Sequence, residues 1–514
     1  MPSALSSVSV PVPAADSAGN AGSGPVAVVD IGSNSVRLVV FDVYDRTLRP
    51  LFNEKVLCGL GRDLSSTGRL NADGVSLARE SLQRFTELAE AMGVGRTDLL
   101  ATAAVRDAED GPDFVAEIER ICGCPVKVLN GVEEGRLAAT GVIAGLPAAT
   151  GVVGDLGGGS LELVEVRDGE PGRSSTLPLG PFRLIELCGR DVSAMRREVD
   201  QQLACVDWIE EKAAESGQRV FFPVGGAWRN LARLHIALRD YPLHVIHGYR
   251  MRRADVEDIE GVIGRLGPSS LSGIKGITRR RQETLPAAAV VLARVLKALR
   301  CKNIVFSAYG LREGHVFEAL PPEEQARDPL MAAAEEMAEN GSRFGGMSDQ
   351  LFAWTTPLFP KEEPAQQRLR RASCLLSDIA WREHADYRAT QALQRILYFP
   401  FSGIDHGERV FLAYAAYTRY GGSDGTDEID RFLTLLSNGA AGRARILGLA
   451  QRLAYQVSGA TGAVLEQCAL SFDRARKLTL RLPSKGVAAT GGAVERRLQA
   501  LGDALDAAEV IFEG

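Results

Sequence analysis

A β-strand that ends in an acidic residue and then enters a turn of glycines and serines occurs twice in this chain. Residues 152–162 read Val-Val-Gly-Asp-Leu-Gly-Gly-Gly-Ser-Leu-Glu, and residues 26–35 read Val-Ala-Val-Val-Asp-Ile-Gly-Ser-Asn-Ser, with a further run of strand-forming residues behind each turn. Two copies in the same order indicate a duplicated domain that grips a ligand between its halves. The repeat therefore predicts an α/β protein with an interdomain cleft.

The composition of the turns indicates the kind of ligand. Glycine has no Cβ, so Gly157, Gly158 and Gly159 can take positive φ and let a ligand approach converging backbone N–H groups. Such a concavity suits an anion, and the neighbouring Asp155 suits a cation bound to that anion. A single Gly-rich turn is equally compatible with an ordinary β-hairpin, so this interpretation depends on the second copy.

Length and charge narrow the class of protein. The chain has 514 residues, of which 45% are hydrophobic and 24% charged, values that suit roughly two to four globular domains. A net charge of −6 argues against general binding to nucleic acid or to a membrane surface, so a site for a polyanion needs a local basic lining. The eight cysteines show no zinc spacing and are expected to be reduced thiols of a cytoplasmic protein.

Changes of pattern along the chain predict four segments. Residues 1–24, rich in Ala, Ser, Pro and Gly, are expected to form a disordered tail. Strands alternate with helices over 25–147 and again over 148–320, which is typical of α/β layers. Residues 321–514 are mainly helical, and their last part, strand-rich over 465–482 before a helix, indicates a small α/β subdomain at the end.

Two adjacent glutamates open a predicted helix directly after a turn made by Asn130 and Gly131. Acidic residues at this position usually only complement the helix dipole. Here, however, they follow a strand of an open α/β sheet, at the edge where such sheets bind ligands. Neighbours on a helix face different directions, so only one of Glu133 and Glu134 can point into the cleft. A carboxylate there could orient a water molecule and accept its proton.

Five motifs together resemble those of the exopolyphosphatase and guanosine pentaphosphate phosphatase (Ppx/GppA) family, in order and in approximate spacing over 25–320. Any one of them alone is a weak signal, whereas five in order argue against chance. The family belongs to the actin-like ATPase superfamily, so the resemblance implies duplicated actin-like (ribonuclease H-like) domains with an interdomain cleft, followed by a mainly α-helical, HD-like domain. The motifs are Asp30-Ile-Gly-Ser-Asn-Ser, Thr102-Ala-Ala-Val-Arg106, Asn130-Gly-Val-Glu-Glu134-Gly-Arg136, Asp155-Leu-Gly-Gly-Gly-Ser-Leu-Glu162 and Ser307-Ala-Tyr-Gly-Leu-Arg-Glu-Gly314.

The resemblance also implies roles for the matching positions. Glu134 corresponds to the glutamate that activates the attacking water, and Arg106 to an arginine that contacts the terminal phosphates. Asp155 and Glu162 correspond to carboxylates associated with a divalent metal, expected to be Mg²⁺, and a requirement for K⁺ is left open. The implied phosphate-binding residues are Gly32, Ser33, Asn34, Ser35, Gly157, Gly158, Gly159 and Ser160.

The function implied by the resemblance is hydrolysis of the terminal phosphoanhydride bonds of inorganic polyphosphate by a cytoplasmic homodimer, with guanosine pentaphosphate as a second candidate substrate. A water-activating glutamate suits this reaction, because its loose transition state chiefly requires positioning and charge neutralisation. One alternative is an ATP-dependent kinase or assembling ATPase of the same superfamily, which the motif at 130–136 and the lack of an adenine-pocket motif disfavour. A polyphosphate-binding protein without activity is disfavoured by the retained carboxylates.

Other features leave two interpretations each. Gly225 and Gly226 either line the cleft or form a tight strand-to-helix connection. Three arginines at 279–281 either hold the distal part of a phosphate chain or are solvated. At Asp378 the preceding residue is serine where an HD pair has histidine, which argues against a second metal centre. Six further arginines either line a basic channel or belong to salt-bridged helix surfaces: Arg368, Arg370, Arg371, Arg443, Arg445 and Arg452.

Overall fold

The computed structural model describes residues 24–42, 45–214, 219–265, 283–344, 346–483 and 491–513. The predicted tail up to residue 23 and the three arginines at 279–281 lie outside these ranges. The described residues form two α/β units with related sheets and a third unit that is mainly helical. No helix in these ranges is both long and apolar enough to cross a membrane.

The first unit contains five strands: β1 (Val26–Ile31), β2 (Val36–Phe41), β3 (Pro50–Val56), β4 (Arg96–Ala101) and β5 (Val126–Val128). They lie in the order β3-β2-β1-β4-β5, with β1 to β3 antiparallel and β1, β4 and β5 parallel. Apolar side chains of the sheet pack against α2 and α4 to form the core of this unit. Its helices are α1 (Leu64–Thr67), α2 (Ala72–Ala91), α3 (Ala103–Asp107), α4 (Gly111–Cys122) and α5 (Gly131–Gly145).

The second unit repeats this topology. Its strands are β6 (Gly151–Leu156), β7 (Leu161–Arg167), β8 (Glu170–Leu177), β9 (Val220–Val224), β10 (Arg250–Arg252) and β11 (Asn303–Val305), in the order β10-β11-β9-β6-β7-β8. The run β8-β7-β6-β9-β11 matches β3-β2-β1-β4-β5 in order and in relative direction. The helices are α6 (Pro181–Cys188), α7 (Val192–Leu203), α8 (Asp207–Ala214), α9 (Gly226–Leu238), α10 (Arg253–Arg265), α11 (Leu285–Ala298) and α12 (Leu311–Glu318).

Helices α5 and α12 lie between the two sheets, and each packs on the sheet of the other unit. Ala139 and Val142 of α5 join the apolar cluster of β6, β7 and β9, whereas Phe317 of α12 joins that of β1 and β2. Apolar contacts of α5 and α12 therefore connect the cores of the two α/β units across the boundary predicted at 147. Glycine permits the contact between these helices, because a Cβ at Gly141 would lie 2.1 Å from the carbonyl oxygen of Gly310.

The third unit surrounds a single large apolar cluster. It ends in a three-stranded sheet, β12 (Ala469–Phe472), β13 (Lys477–Arg481) and β14 (Glu509–Glu513), in which β13 and β14 are parallel. This unit is therefore mainly helical and ends in a small sheet, to which β14 adds a strand that the sequence did not predict. The helices are α13 (Pro322–Ala326), α14 (Pro329–Gly341), α15 (Ser348–Thr355), α16 (Pro364–Leu375), α17 (Arg388–Tyr398), α18 (His406–Arg419), α19 (Asp427–Leu433), α20 (Ala440–Ser458), α21 (Gly462–Leu465) and α22 (Gly492–Ala504).

Candidate functional site

A cavity of about 170 Å³ lies between the two α/β units, where the β1–β2 turn faces the β6–β7 turn. Asp30 near the end of β1 and Asp155 near the end of β6 both line it. The turns approach closely, since a Cβ at Gly158 would lie 3.0 Å from the Cβ of Ser33. The two acidic residues therefore share one cavity, as the duplicated turns predicted.

The two turns have the same hydrogen-bond pattern. In the first, Gly32 N–H donates to the carbonyl oxygen of Ser35 at 3.0 Å, and in the second Gly157 N–H donates to that of Ser160 at 3.0 Å. Each turn also accepts hydrogen bonds from an adjacent loop, which fixes its position. The repeat seen in the sequence thus extends to the backbone geometry of the site.

Four backbone N–H groups of these turns are available to a ligand. The N–H groups of Ser33, Asn34, Gly158 and Gly159 donate no hydrogen bond to any described residue. Successive free N–H groups in a turn form a concavity that binds anions. Two such turns on opposite walls of one cavity can therefore hold two sides of a phosphate group.

The glycines of the second turn are needed for a different reason from the expected one. None of Gly157, Gly158 and Gly159 takes a positive φ, so the expectation of left-handed backbone is wrong. Space is the constraint: besides the contact with Ser33, a Cβ at Gly158 would lie 3.2 Å from the ring of Phe182. A side chain at this position would push the two walls of the cavity apart.

Of the two glutamates at the start of α5, only Glu134 faces the cavity. Asn130 and Glu133 form a capping box, in which Glu133 N–H donates to the Asn130 side chain and Asn130 N–H donates to the Glu133 carboxylate, both at 2.9 Å. Glu134 is 6% exposed and lines the cavity. The cap explains why the helix begins here and why Glu133 is directed away.

Arg106 is connected to the cavity by its ion pair with Glu134. Its Nη1 lies 3.3 Å from Glu134 Oε2 and donates to the carbonyl oxygen of Leu129 at 3.0 Å. Within the motif Thr102-Ala-Ala-Val-Arg106, Thr102 precedes the short helix α3, to which Arg106 belongs. Arg106 is not itself a wall residue of the cavity, so the structure shows it as the ion-pair partner of the proposed base.

Burial perturbs the acidic residues of the site. Burial and the charge of Asp155 raise the pKa of Glu134 to about 8, against the opposite effect of Arg106. Burial raises the pKa of Asp155 to about 6, opposed by Arg229 and assisted by Asp30. Groups with such shifts in a cleft are typical of functional sites. A cation or a phosphate-bound metal entering the cavity would favour the ionised forms.

Glu162 lies behind the cavity wall. It stands opposite Asp155 in the β6–β7 ladder and is 1% exposed. Neither carboxylate oxygen has a hydrogen-bond partner among the described residues, and burial, followed by the charges of Glu134 and Asp155, raises its pKa. Since Glu162 does not line the cavity, its predicted role as a metal ligand stays a prediction.

The residues present fit a divalent cation held jointly with phosphate. The described residues contain no group of three or more His, Cys, Asp and Glu side chains that could hold a metal by themselves. Asp30 and Asp155 lie on the cavity wall as a pair of carboxylates. Mg²⁺ is commonly bound by one or two carboxylates, with substrate phosphates and water completing its coordination.

Three arginines to which the sequence assigned no role at the site also line the cavity: Arg37, Arg229 and Arg312. Arg312 Nη1 lies 3.8 Å from Asp30 Oδ2. Burial, followed by the charge of Arg312, lowers the pKa of Arg37 and of Arg229 to about 10. Arg37 stands opposite Asp30 in the β1–β2 ladder, so both side chains lie on the same face of the sheet.

The remaining phosphate-site predictions fall around the same cavity. Gly225 and Gly226 line it, which favours the cleft-lining interpretation of that segment. Gly159 is the one predicted phosphate-binding residue outside the wall, although a Cβ there would lie 3.6 Å from Ser33 Oγ. The other predicted positions on the wall are Gly32, Ser33, Asn34, Ser35, Gly157, Gly158 and Ser160.

Most candidates for a basic channel in the helical unit are paired with carboxylates instead. Asp378, at the HD-like position, accepts hydrogen bonds from two arginine side chains, so guanidinium groups occupy the surroundings that a metal would need. Ion pairs thus account for five of the six arginines, and the pair of Arg370 with Glu362 is buried. The pairs are Arg368–Asp328, Arg370–Glu362, Arg371–Asp349, Arg443–Glu362 and Arg445–Asp424.

Comparison with known proteins gives concordant matches. A profile described as the Ppx/GppA phosphatase family matches residues 39–323, and one described as the C-terminal region of exopolyphosphatase matches 330–509. Exopolyphosphatase 1 of Mycobacterium leprae is 28% identical over 313 residues, covering 58% of this chain and 90% of that protein. Retrograde regulation protein 2 of Saccharomyces cerevisiae is 24% identical over 437 residues, covering 77% and 72%.

Solved structures agree with these matches. The crystal structure of the Ppx/GppA family member of Aquifex aeolicus has a TM-score of 0.50 and 25% identity, covering 59% of this chain and 99% of that one. An exopolyphosphatase from Cytophaga hutchinsonii has a TM-score of 0.53 at 22% identity, covering 58% and 97%. The latter likeness concerns the fold, which the two α/β units share with it.

Proposed function

The chain belongs to the Ppx/GppA phosphatase family, and on that premise we propose that it hydrolyses the terminal phosphoanhydride bond of inorganic polyphosphate and releases orthophosphate. One observation carries the proposal. Ser33 and Asn34 of one turn and Gly158 of the facing turn, each with a free N–H group, line the same cavity as the buried carboxylate of Glu134. An anion held by those N–H groups lies within the cavity that the proposed base lines.

The lining favours the end of a phosphate chain. Arg37, Lys55, Arg229 and Arg312 contribute positive charge to the wall, which suits a substrate with several negative charges. The volume of about 170 Å³ is below the roughly 300 Å³ at the lower end of pockets that enclose whole drug-sized ligands. A terminal phosphate fits this space better than an entire nucleotide, which disfavours the ATP-dependent kinase alternative.

In the proposed reaction, a water molecule beside Glu134 attacks the terminal phosphorus. A new P–O bond forms while the bond to the bridging oxygen breaks, and the shortened chain leaves with that oxygen. Glu134 accepts the proton of the attacking water, and Arg106 favours the ionised form of Glu134 beforehand. The turn N–H groups and the wall arginines stabilise the charge on the transferred phosphoryl group.

A bound Mg²⁺ would neutralise phosphate charge, with Asp30 and Asp155 as its protein ligands. Chelation of divalent ions by EDTA should then suppress phosphate release, and added Mg²⁺ should restore it. Unchanged release after complete chelation would contradict the proposed metal requirement, while leaving the hydrolysis itself in place.

The deciding experiment compares two adjacent substitutions. Glu134→Gln removes the proposed base, and phosphate release from long-chain polyphosphate should fall by about 10²- to 10⁴-fold while polyphosphate binding persists. Glu133→Gln is the matched control, since glutamine can also complete the capping box, and it should keep nearly full activity. Full activity of the Glu134→Gln variant would refute the proposed mechanism.

Guanosine pentaphosphate presents the same kind of terminal phosphoanhydride bond, so phosphate release from it is measured with the same variants. Release from both substrates with equal sensitivity to Glu134→Gln would assign both reactions to one site. The homodimer, the requirement for K⁺ and the cytoplasmic location stay predictions.

A further inference from the structure

A cavity of about 400 Å³ lies between the second α/β unit and the helical unit. Among the described residues, none lines both this cavity and the one that contains Glu134. Its volume lies within the range of roughly 300–1,000 Å³ that is typical of pockets for whole small molecules. The proposed hydrolysis uses none of its residues, so this cavity is a separate space with its own chemistry.

Much of the lining is apolar. Leu369 of α16 and Phe411 of α18 are 8% and 5% exposed. Leu435 and Leu436 lie in the turn between α19 and α20 and also line the cavity. All four side chains belong to the apolar cluster of the helical unit or pack against it. An apolar group of a ligand would therefore leave water here, which favours binding.

The same cavity has charged groups of both signs. Two arginines and two carboxylates line it, namely Arg250, Arg443, Asp405 and Glu408. Arg443 is paired with Glu362 at 2.8 Å. Glu408 and Asp405 form the capping box of α18, in which each carboxylate accepts from the backbone N–H of the other residue. The lining thus favours neither a simple anion nor a simple cation.

Arg250 and Asp405 form an open ion pair on this wall. Arg250 Nη2 lies 3.5 Å from Asp405 Oδ2, and the two side chains are 66% and 40% exposed. This separation exceeds the roughly 2.7–3.2 Å of an N–H···O hydrogen bond, so both groups can still bind a ligand. Beside them, the N–H groups of His406 and Gly407 in the first turn of α18 donate no hydrogen bond to any described residue. A carboxylate can bind to these donors and to Arg250, provided that a positive charge on the same ligand balances Asp405.

Buried polar contacts fix the junction of the two units beside the cavity. Tyr241 OH donates to His406 Nδ1 at 2.9 Å, and His406 Nε2 donates to the carbonyl oxygen of His247 at 3.1 Å. Tyr241 and His406 both line the cavity, so this part of the wall is held in place without a ligand. Sites for small molecules are usually largely pre-formed in this way.

We propose that this cavity binds an α-amino acid with an apolar side chain. The ammonium and carboxylate groups of such a ligand are attached to one carbon atom, and this arrangement matches the neighbouring Asp405 and Arg250. The apolar side chain of the ligand lies against Leu435, Leu436 and the residues packed beside them. The inference rests on the shape, polarity and charge of this cavity, and it does not depend on the proposed hydrolysis.

Isothermal titration calorimetry of the full chain tests the site with L-leucine and L-phenylalanine. Two temperatures are used, because burial of apolar surface makes the binding enthalpy depend on temperature and a zero enthalpy cannot occur at both. Glycine keeps both charges of the ligand but lacks the apolar side chain, and 4-methylpentanoate is leucine without the ammonium group. At least one of the two amino acids should bind, and both comparison compounds should bind at least about tenfold more weakly than it does.

Variants then assign the binding to this cavity. Asp405→Asn removes the negative charge but keeps a residue that can cap α18, and Arg250→Gln changes an exposed side chain. Each should weaken binding of the amino acid by at least about tenfold. Arg252→Gln is the matched control, since Arg252 is also exposed on β10 but does not line the cavity, and it should bind as the wild type does.

Three results would overturn the proposal, whatever the outcome for hydrolysis. The first is the absence of binding by both amino acids at both temperatures. The second is equal affinity for either comparison compound, because the site would then not recognise an apolar amino acid. The third is unchanged affinity in Asp405→Asn and Arg250→Gln, because the amino acid would then bind elsewhere.

Discussion

His247 should make the stability of this protein decrease as the pH falls below about 6.5. It is 6% exposed, and it joins three segments of the chain. Its Nε2 lies 3.0 Å from the carbonyl oxygen of Gly145 at the end of α5, and its Nδ1 accepts from Ala308 N–H at 3.3 Å. These contacts require the neutral ring with its proton on Nε2. A second proton on Nδ1 would face the N–H group of Ala308.

The magnitude follows from the pKa. Burial lowers the pKa of His247 from 6.5 to about 4, so the unfolded chain binds a proton between these values while the folded chain does not. The free energy of unfolding therefore falls as the pH falls through this range. At 1.36 kcal/mol for each pKa unit, the contribution of this residue changes by about 2.5 kcal/mol between pH 7.5 and pH 4.5.

The His247→Gln variant isolates this effect. A glutamine amide can donate to Gly145 but does not titrate, so the variant should be less stable than the wild type at pH 7.5 and should lose less stability on acidification. Urea unfolding followed by tryptophan fluorescence at pH 7.5, 6.5, 5.5 and 4.5 gives the difference between the two proteins. Titrating groups that do not contact His247 contribute equally to both and cancel in that difference. His406 is the exception, because its Nε2 lies 3.1 Å from the carbonyl oxygen of His247 and the charge of His247 contributes to lowering its pKa.

A matched control is available on the same loop. His244 is exposed, so His244→Gln should leave the pH dependence of stability unchanged. If the free energies of the wild type and the His247→Gln variant run parallel from pH 7.5 to pH 4.5, the buried neutral histidine does not act as argued. A change of about 2.5 kcal/mol in their difference would support the assignment.

Other predictions concern the cleft and the helical unit. Arg106→Gln removes the cation 3.3 Å from Glu134, so the pKa of Glu134 should increase further. The pH at which kcat/KM begins to increase should then be higher than in the wild type, and an unchanged pH profile would exclude this ion pair from catalysis. Gly131→Ala places a Cβ 2.2 Å from Thr176 Oγ1, which should displace the start of α5 and reduce phosphate release, and Thr176→Gly in the same chain should restore part of it. Asp378→Asn leaves two arginines of a buried network without their charge partner and should destabilise the helical unit by about 3 kcal/mol, measured as a lower thermal midpoint; an unchanged midpoint would show that the network contributes little.

Short-range features of this protein are determined by its sequence alone. Strand, acidic residue and small-residue turn are encoded by consecutive positions, so the duplicated turns, Asp30 and Asp155 can be identified directly. The sequence also shows that only one of Glu133 and Glu134 can face the cleft, because residues adjacent on a helix cannot face the same way. The alternation of strands and helices further predicts the two α/β units and the helical region.

The tertiary structure decided which distant residues meet. Arg37 comes from the first unit and Arg229 and Arg312 from two segments of the second, and they line one cavity because the two units face each other. The packing of α5 and α12 on the sheet of the other unit likewise depends on contacts across the interface. The glycines of the second turn illustrate the difference. The sequence shows that these positions carry no side chains. Only the tertiary structure shows the reason, because the opposing turn with Ser33 leaves no space for a side chain, whereas the backbone conformation does not require glycine.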